Sequence, residues 1–196
     1  MIGFVKKLGR DARGVSAVEF GIVGPVLIVM VAGMMELAFD VWAKAMLTGA
    51  VQEAGRNSGV EDYHKSQTML DTRVAEQVNA FLPSAKITFA RKNYQSFSDV
   101  GVPEDFTDSN KNGRYDRGEC FEDKNGNGVW DADGGSQGQG GARDVVVYTA
   151  TMTYRQLLPV AELIGLDGKR TFSASTTLMN QPFSTQADRI TKEVCP

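Results

Sequence analysis

Apolar and polar residues are unevenly distributed along this chain of 196 residues. Residues 20–35 run for sixteen positions without a charge, and the apolar stretch continues to Phe39. As a helix rising about 1.5 Å per residue, residues 20–39 reach about 30 Å, the thickness of one bilayer core. Met35, Phe39, Trp42, Met46 and Ala50 then recur at helical spacing, and Arg56-Asn57-Ser58-Gly59 ends the helix. That stripe is expected to pack on a soluble domain; Trp42 reads alternatively as a membrane-interface anchor. Pro25 lacks a backbone donor and crowds the carbonyl of Gly21, which predicts a kink or local unwinding over 21–25. A second helix fits 63–82, where Leu70, Val74, Val78 and Phe81 share a face and Pro83 stops the chain.

Alternation at period two takes over afterwards. Residues 86–91 place Ile87 and Phe89 on one face. Residues 144–154 form the strongest predicted strand, with Val146, Tyr148, Ala150, Met152 and Tyr154 opposite Thr149, Thr151 and Thr153. Residues 170–179 match it, with Phe172, Ala174 and Leu178 on one side. Between these two strands, residues 156–165 are too apolar for a bare loop and predict a short helix, before Asp167-Gly168 turns the chain. The expected fold class is α+β: helices on one face of a small antiparallel sheet.

Charge adds a direction to this picture. Lys6, Lys7, Arg10 and Arg13 against Asp11 give the first 14 residues a net +3, while the whole chain carries −3. A basic flank before an apolar helix stays cytoplasmic, which places the C-terminal bulk across the membrane. The remainder is acidic, so a nucleic-acid partner is not expected. His64 is the single histidine and reads as a solvated surface residue; with no CxxC pair, zinc is poorly supported. Cys120 and Cys195, behind an export segment, predict a disulfide, the alternative being two separate buried thiols.

An ordinary signal peptide has a small-residue cleavage site after its apolar run, and none follows here. The candidate processing point lies before the run, at Gly14-Val15. Five residues past the junction sits Glu19, a carboxylate at the edge of a membrane helix, which by default calls for a partner. The α-amino group of Val15 on a neighbouring chain is one; the alternative is a glutamate facing lipid headgroups.

With Arg13-Gly14, Val18-Glu19-Phe20, Pro25 and Glu36-Leu37 in register, the segment over about residues 10–55 resembles the TadE-like family, minor pilins (pseudopilins) of the tight-adherence pilus system. The resemblance implies a prepilin peptidase cutting after Gly14. It also implies retention in the bacterial inner membrane and partnership with other pilins and inner-membrane assembly proteins. Gly21 stands where the family usually carries alanine, a mild departure. The implied organisation is a leader at 1–14, a pilin-like transmembrane helix at 15–57 and a periplasmic or extracellular domain at 58–196.

Residues 99–135 differ from the rest, with ten acidic side chains against Lys111, Arg114, Arg117 and Lys124. They contain two related strings. In the first, Asp108, Asn110, Asn112, the Arg114 carbonyl, Asp116 and Glu119 occupy positions 1, 3, 5, 7, 9 and 12 of a twelve-residue calcium loop, with Gly113 at the sharp turn. In the second, Asp123, Asn125, Asn127, the Val129 carbonyl and Asp131 repeat the pattern, but Gly134 stands at position 12 and Asp133 is the expected substitute. The loops start fifteen residues apart, too close for the helices of an EF-hand. Asn for Asp lowers site charge and with it affinity, which an extracellular module tolerates. The alternative is a polar loop without metal. The run at 134–142, GGSQGQGGA, reads as slack before the next strand.

No nucleophile set or phosphate-cradling loop is present, so no enzyme is expected. The expected function is a membrane-anchored minor pilin in assembly or adhesion of a tight-adherence pilus. A calcium-dependent adhesion or scaffold module that never enters a pilus is the alternative.

Overall fold

The computed structural model describes residues 15–57, 67–158, 160–163, 165–180 and 191–196. The leader with Gly14, and His64, lie outside the described residues. In chain order the elements are α1 (Val15–Asn57), α2 (Gln67–Asn79), β1 (Lys86–Tyr94), a 3-10 turn (Phe97–Asp99), β2 (Phe121–Asp123), β3 (Ser136–Gln137), β4 (Val145–Arg155), α3 (Val160–Leu163), β5 (Lys169–Met179) and β6 (Lys192–Val194). They make two compact units: Met1–Ala43 with Arg155–Arg170, and Lys44–Tyr154 with Thr171–Pro196.

The larger unit is a two-layer α+β arrangement. Its main sheet has the order β3-β1-β4-β5. β1 and β4 are antiparallel, with Phe89 opposite Ala150 and Ile87 opposite Met152. Thr151 meets Ser173 and Thr153 meets Thr171, so β5 also runs against β4. The period-two reading of these strands is correct: Val146, Tyr148, Ala150, Met152 and Tyr154 are buried, and the threonine face is not. Helices cover the apolar face. Leu47 and Val51 of α1, Val74 of α2 and Met152 are almost wholly buried, each such side chain contributing about 1.5–3 kcal/mol. Arg91 grips Asp71 of α2 through two hydrogen bonds of 3.1 and 2.6 Å, and the Tyr148 hydroxyl donates to the same carboxylate at 2.9 Å. Burial, and then this carboxylate, push the Tyr148 phenol far up. α2 is shorter than expected: it ends at Asn79, and Leu82 rather than Phe81 is buried beyond it.

Two further expectations need correction. α1 buries Ala43, Leu47, Ala50, Val51 and Ala54, whereas Met35 and Trp42 are exposed and Phe39 and Met46 half-buried. The packed stripe is therefore rotated from the predicted one. Small residues let the helix approach closely, as at Gly55, where an added Cβ would lie 3.0 Å from Thr176. The glycine run is not slack either. Asn93 Nδ2 donates to the carbonyls of Ser136, Gln137 and Gly138, and Asn180 Nδ2 to those of Gln139 and Gly141. Both asparagines are buried. Gly135 admits no side chain, because a Cβ would sit 2.5 Å from the Tyr94 ring.

In the smaller unit, α1 is unbroken through Pro25, so the expected unwinding is absent. It is long and apolar enough to cross a membrane, and only 11% of its most apolar 18 residues are buried. A core helix of a soluble domain would be mostly buried; this one exposes Ile22, Val26, Ile28, Met30 and Met34.

Candidate metal centre

The acidic segment folds as two cages on a shared aromatic core. Tyr115 stacks on Trp130 at 4.8 Å, and Phe106 and Phe121 meet them edge-on. Chain entry and exit pair locally: the Thr107 N–H donates to Cys120 O at 2.8 Å and the Glu122 N–H to Asp105 O at 2.8 Å. β2 then pairs with β6, which brings Cys120 to Cys195; the two are bridged. For a separation of 75 residues, such a closure stabilises by about 4 kcal/mol in the chain-entropy picture.

In the first cage Asp108 accepts from the N–H groups of Asn112 (3.1 Å) and Gly113 (2.8 Å). Gly113 has φ +75°, where a residue with Cβ would be strained. Asn110 Oδ1 accepts from the Asn112 N–H and Asn112 Oδ1 from the Arg114 N–H. The two side-chain amides converge on Asp116 Oδ2, each at 2.6 Å. Glu119, buried, closes the ring by accepting from the N–H groups of Ser109 (2.8 Å) and Asp116 (2.9 Å), the second and ninth positions.

The second cage repeats this pattern and adds one bond, from the Gly126 N–H to Asp123 Oδ1 at 2.6 Å. Asp123 accepts from the N–H groups of Asn127 (3.2 Å) and Gly128 (2.8 Å). The amides of Asn125 and Asn127 converge on Asp131 Oδ2 at 2.7 and 2.6 Å. The closing carboxylate is Glu104. It accepts from the N–H groups of Lys124 (2.8 Å) and Asp131 (3.0 Å), again the second and ninth positions. Glu104 is 1% exposed, and its backbone is held by Asp131 O and by the Trp130 indole N–H. A Cβ built on Gly134 would lie 3.1 Å from Glu104 Cγ. The side chain missing from position 12 is thus replaced in space by one from upstream.

Asp133, the residue expected to substitute, is engaged elsewhere. It bonds Lys92 Nζ at 2.8 Å and the Tyr94 hydroxyl at 2.9 Å. Burial raises its pKa, but the hydrogen bonds from Lys92 and Tyr94 outweigh that and hold it below the usual carboxylate range. Burial and the same contact push the Tyr94 phenol up to about 12. Glu104 was not legible as a member of the second cage in a contiguous pattern; the only cue was the deficit at Gly134.

The donor set suits a hard cation. Three carboxylates and two amides surround each cage, the preference of calcium being six to eight oxygens including backbone carbonyls. Each cage draws on three carboxylates, of which Glu119 is buried in the first and Glu104 and Asp123 in the second; burying such groups is costly unless a positive charge joins them. The two amide nitrogens at each ninth position now supply partial positive charge there. Turning each amide over would present oxygen instead, at the cost of the backbone N–H bonds those oxygens accept.

At the other end of the chain, Glu19 is exposed on α1 and Val15 opens that helix. Residues 14–56 match the family model described as TadE-like protein, so the N-terminal segment is TadE-like from Gly14 onward. No curated protein and no solved structure matches the chain. The tandem cages lie outside the matched segment.

Proposed function

We propose that the protein is a membrane-anchored minor pilin (pseudopilin) that takes part in assembly or function of a tight-adherence pilus, with a periplasmic domain ordered by calcium. The role is structural rather than catalytic. The observation carrying this reading is the register of Gly14, Glu19 and Pro25 in a segment matched as TadE-like from its first residue. The exposed apolar surface of α1 supports insertion in the inner membrane, and the basic leader supports a cytoplasmic N-terminus. A prepilin peptidase then cuts after Gly14. The freed amine of Val15 meets Glu19 of a neighbouring pilin, an ion pair that low dielectric strengthens. Intact-mass measurement on membrane-expressed protein tests this: the expected N-terminus is Val15, lost on Gly14→Leu, and an uncut wild type sinks the reading.

Calcium would be held in the first cage by Asp108, Asn110, Asn112, the Arg114 carbonyl, Asp116 and Glu119. In the second it would be held by Asp123, Asn125, Asn127, the Val129 carbonyl, Asp131 and Glu104. The ion would supply the charge that joins the carboxylates, in the roughly 10⁻⁴–10⁻³ M range of extracellular modules. The support is the matched pair of cages, the second completed from outside its own string. Calorimetric titration into chelator-treated protein should find two ions; none bound at 5 mM, about fivefold the weak end of that range, would refute it. Because the cages lie outside the matched segment, an anchored calcium-dependent adhesion module never assembled into a pilus is the second reading. Co-fractionation with pilus components separates the two.

A further inference from the structure

The excursion between β4 and β5 is tied to α1 immediately past its apolar run. Its backbone N–H at Leu158 donates to Glu36 Oε1, and Arg170 Nε lies 3.2 Å from Asp40 Oδ2. Glu36 and Asp40 are one helical turn apart, so both project from one side of the helix. They are 4% and 9% exposed, and Glu36 Oε2 has no hydrogen-bond partner among the described residues.

The excursion is stitched within itself. The Gln156 N–H donates to Gly168 O at 2.8 Å, the Leu166 N–H to Ala161 O at 2.9 Å, and Arg155 pairs with Glu162 at 2.7 Å. Yet it displays Leu157 and Leu166 at 62% and 57% exposure. Met34, Met35, Leu37 and Val41 of α1 are exposed as well, so apolar side chains are displayed both on the helix at this level and on the excursion.

Length fixes the level of this patch. The sixteen uncharged residues of α1 span only about 24 Å, short of the roughly 30 Å hydrocarbon core. The helix must therefore stay in the membrane through about Phe39. Glu36 and Asp40 then stand at the outer boundary, where a bare carboxylate against lipid is costly. The excursion covers both.

We propose that this excursion is a membrane foot: it shields Glu36 and Asp40 and seats Leu157 and Leu166 in the interfacial layer of the outer leaflet, with lipid as the occupant of the patch. Lys169, exposed beside Arg170, meets lipid phosphates. The inference rests on α1 spanning the bilayer.

The test uses the full-length protein, one copy per lipid nanodisc, with a phospholipid carrying a photoreactive diazirine near its carbonyl or at its acyl terminus. Peptide mass spectrometry reads the adducts. The expected result is adducts at Leu157 and Leu166 with the shallow probe, at least fivefold above those at exposed Phe97, and adducts on α1 with both probes. Glu36→Ala should lower labelling of the excursion severalfold while α1 labelling stays. Labelled α1 with an unlabelled excursion overturns the foot and leaves the anchor standing. Unlabelled α1 overturns the anchor, and the foot with it. An excursion that escapes lipid and cross-links between copies in vesicles assigns the patch to a second copy and also overturns the proposal.

Discussion

The two cages share most of their bonds but differ in where the last carboxylate comes from. The first is closed by Glu119, at the twelfth position of its own string; the second by Glu104, nineteen residues ahead of Asp123. The same geometry is therefore reached by two chain orders. A local cage can form as soon as its string is made. A cage closed from upstream must first bring 104 beside 131, which makes the second cage dependent on the first, since residues 105–122 form the hinge between them.

The largest expected effect comes from the anchor both cages share. Replacing Cys120 and Cys195 by serine should lower stability by about 4 kcal/mol, read by chemical denaturation, and weaken both proposed calcium sites alike. Weakening of one site only would show that the tail braces a single cage.

Next in size are the closing carboxylates. Glu104→Ala leaves the N–H groups of Lys124 and Asp131 without their acceptor and should cost about 3 kcal/mol, together with one calcium in titration. Glu119→Ala should remove the other ion and, through the hinge, weaken the second. If Glu104→Ala also abolishes the first site, the order of dependence is reversed.

A smaller, restorative effect is expected from moving the carboxylate. Glu104→Ala with Gly134→Glu rebuilds a contiguous second string in the space Glu104 vacates. It should recover at least tenfold of the lost affinity, whereas Gly134→Glu alone should not improve on wild type because Glu104 Cγ already fills that space.

The smallest effect concerns Asp133. Asp133→Asn should leave two calcium ions bound but flatten the pH dependence of stability at both ends. The lowered carboxylate stabilises above its unfolded pKa near 3.8, and that contribution fades as pH falls through the folded value. The raised Tyr94 phenol stabilises fully below 10 and loses its contribution as pH climbs to about 12. Loss of a calcium ion in this variant would return Asp133 to the ligand set.

Strands β1, β4 and β5 were legible because each buries one face along its length, so period two survives in the residues. The loop geometry of the first cage was legible for a related reason: the side chains it gathers are set by spacing alone. What escaped depends on partners distant in the chain. β2 and β6 are three residues each and exist through Cys120–Cys195. The glycine run is pinned by Asn93 and Asn180, which no local pattern connects to it. On α1, large apolar residues marked the wrong stripe because those side chains remain outward, while alanines and two carboxylates face the packed side. A hydrophobicity pattern cannot distinguish a face covered by protein from one left outside it.

The Cys120–Cys195 bridge also gives the molecule a mechanical character. It closes a covalent ring that contains β4 and β5. Tension applied at the tail passes straight to Cys120 without entering the ring. At about 3.4 Å per extended residue, roughly 250 Å of chain is withheld from stretching. Load between an anchored α1 and the tail is borne instead by the chain ahead of Cys120. The first cage lies in that path, between Asp108 and Glu119, and a bound cation there would act as the fuse of the tether.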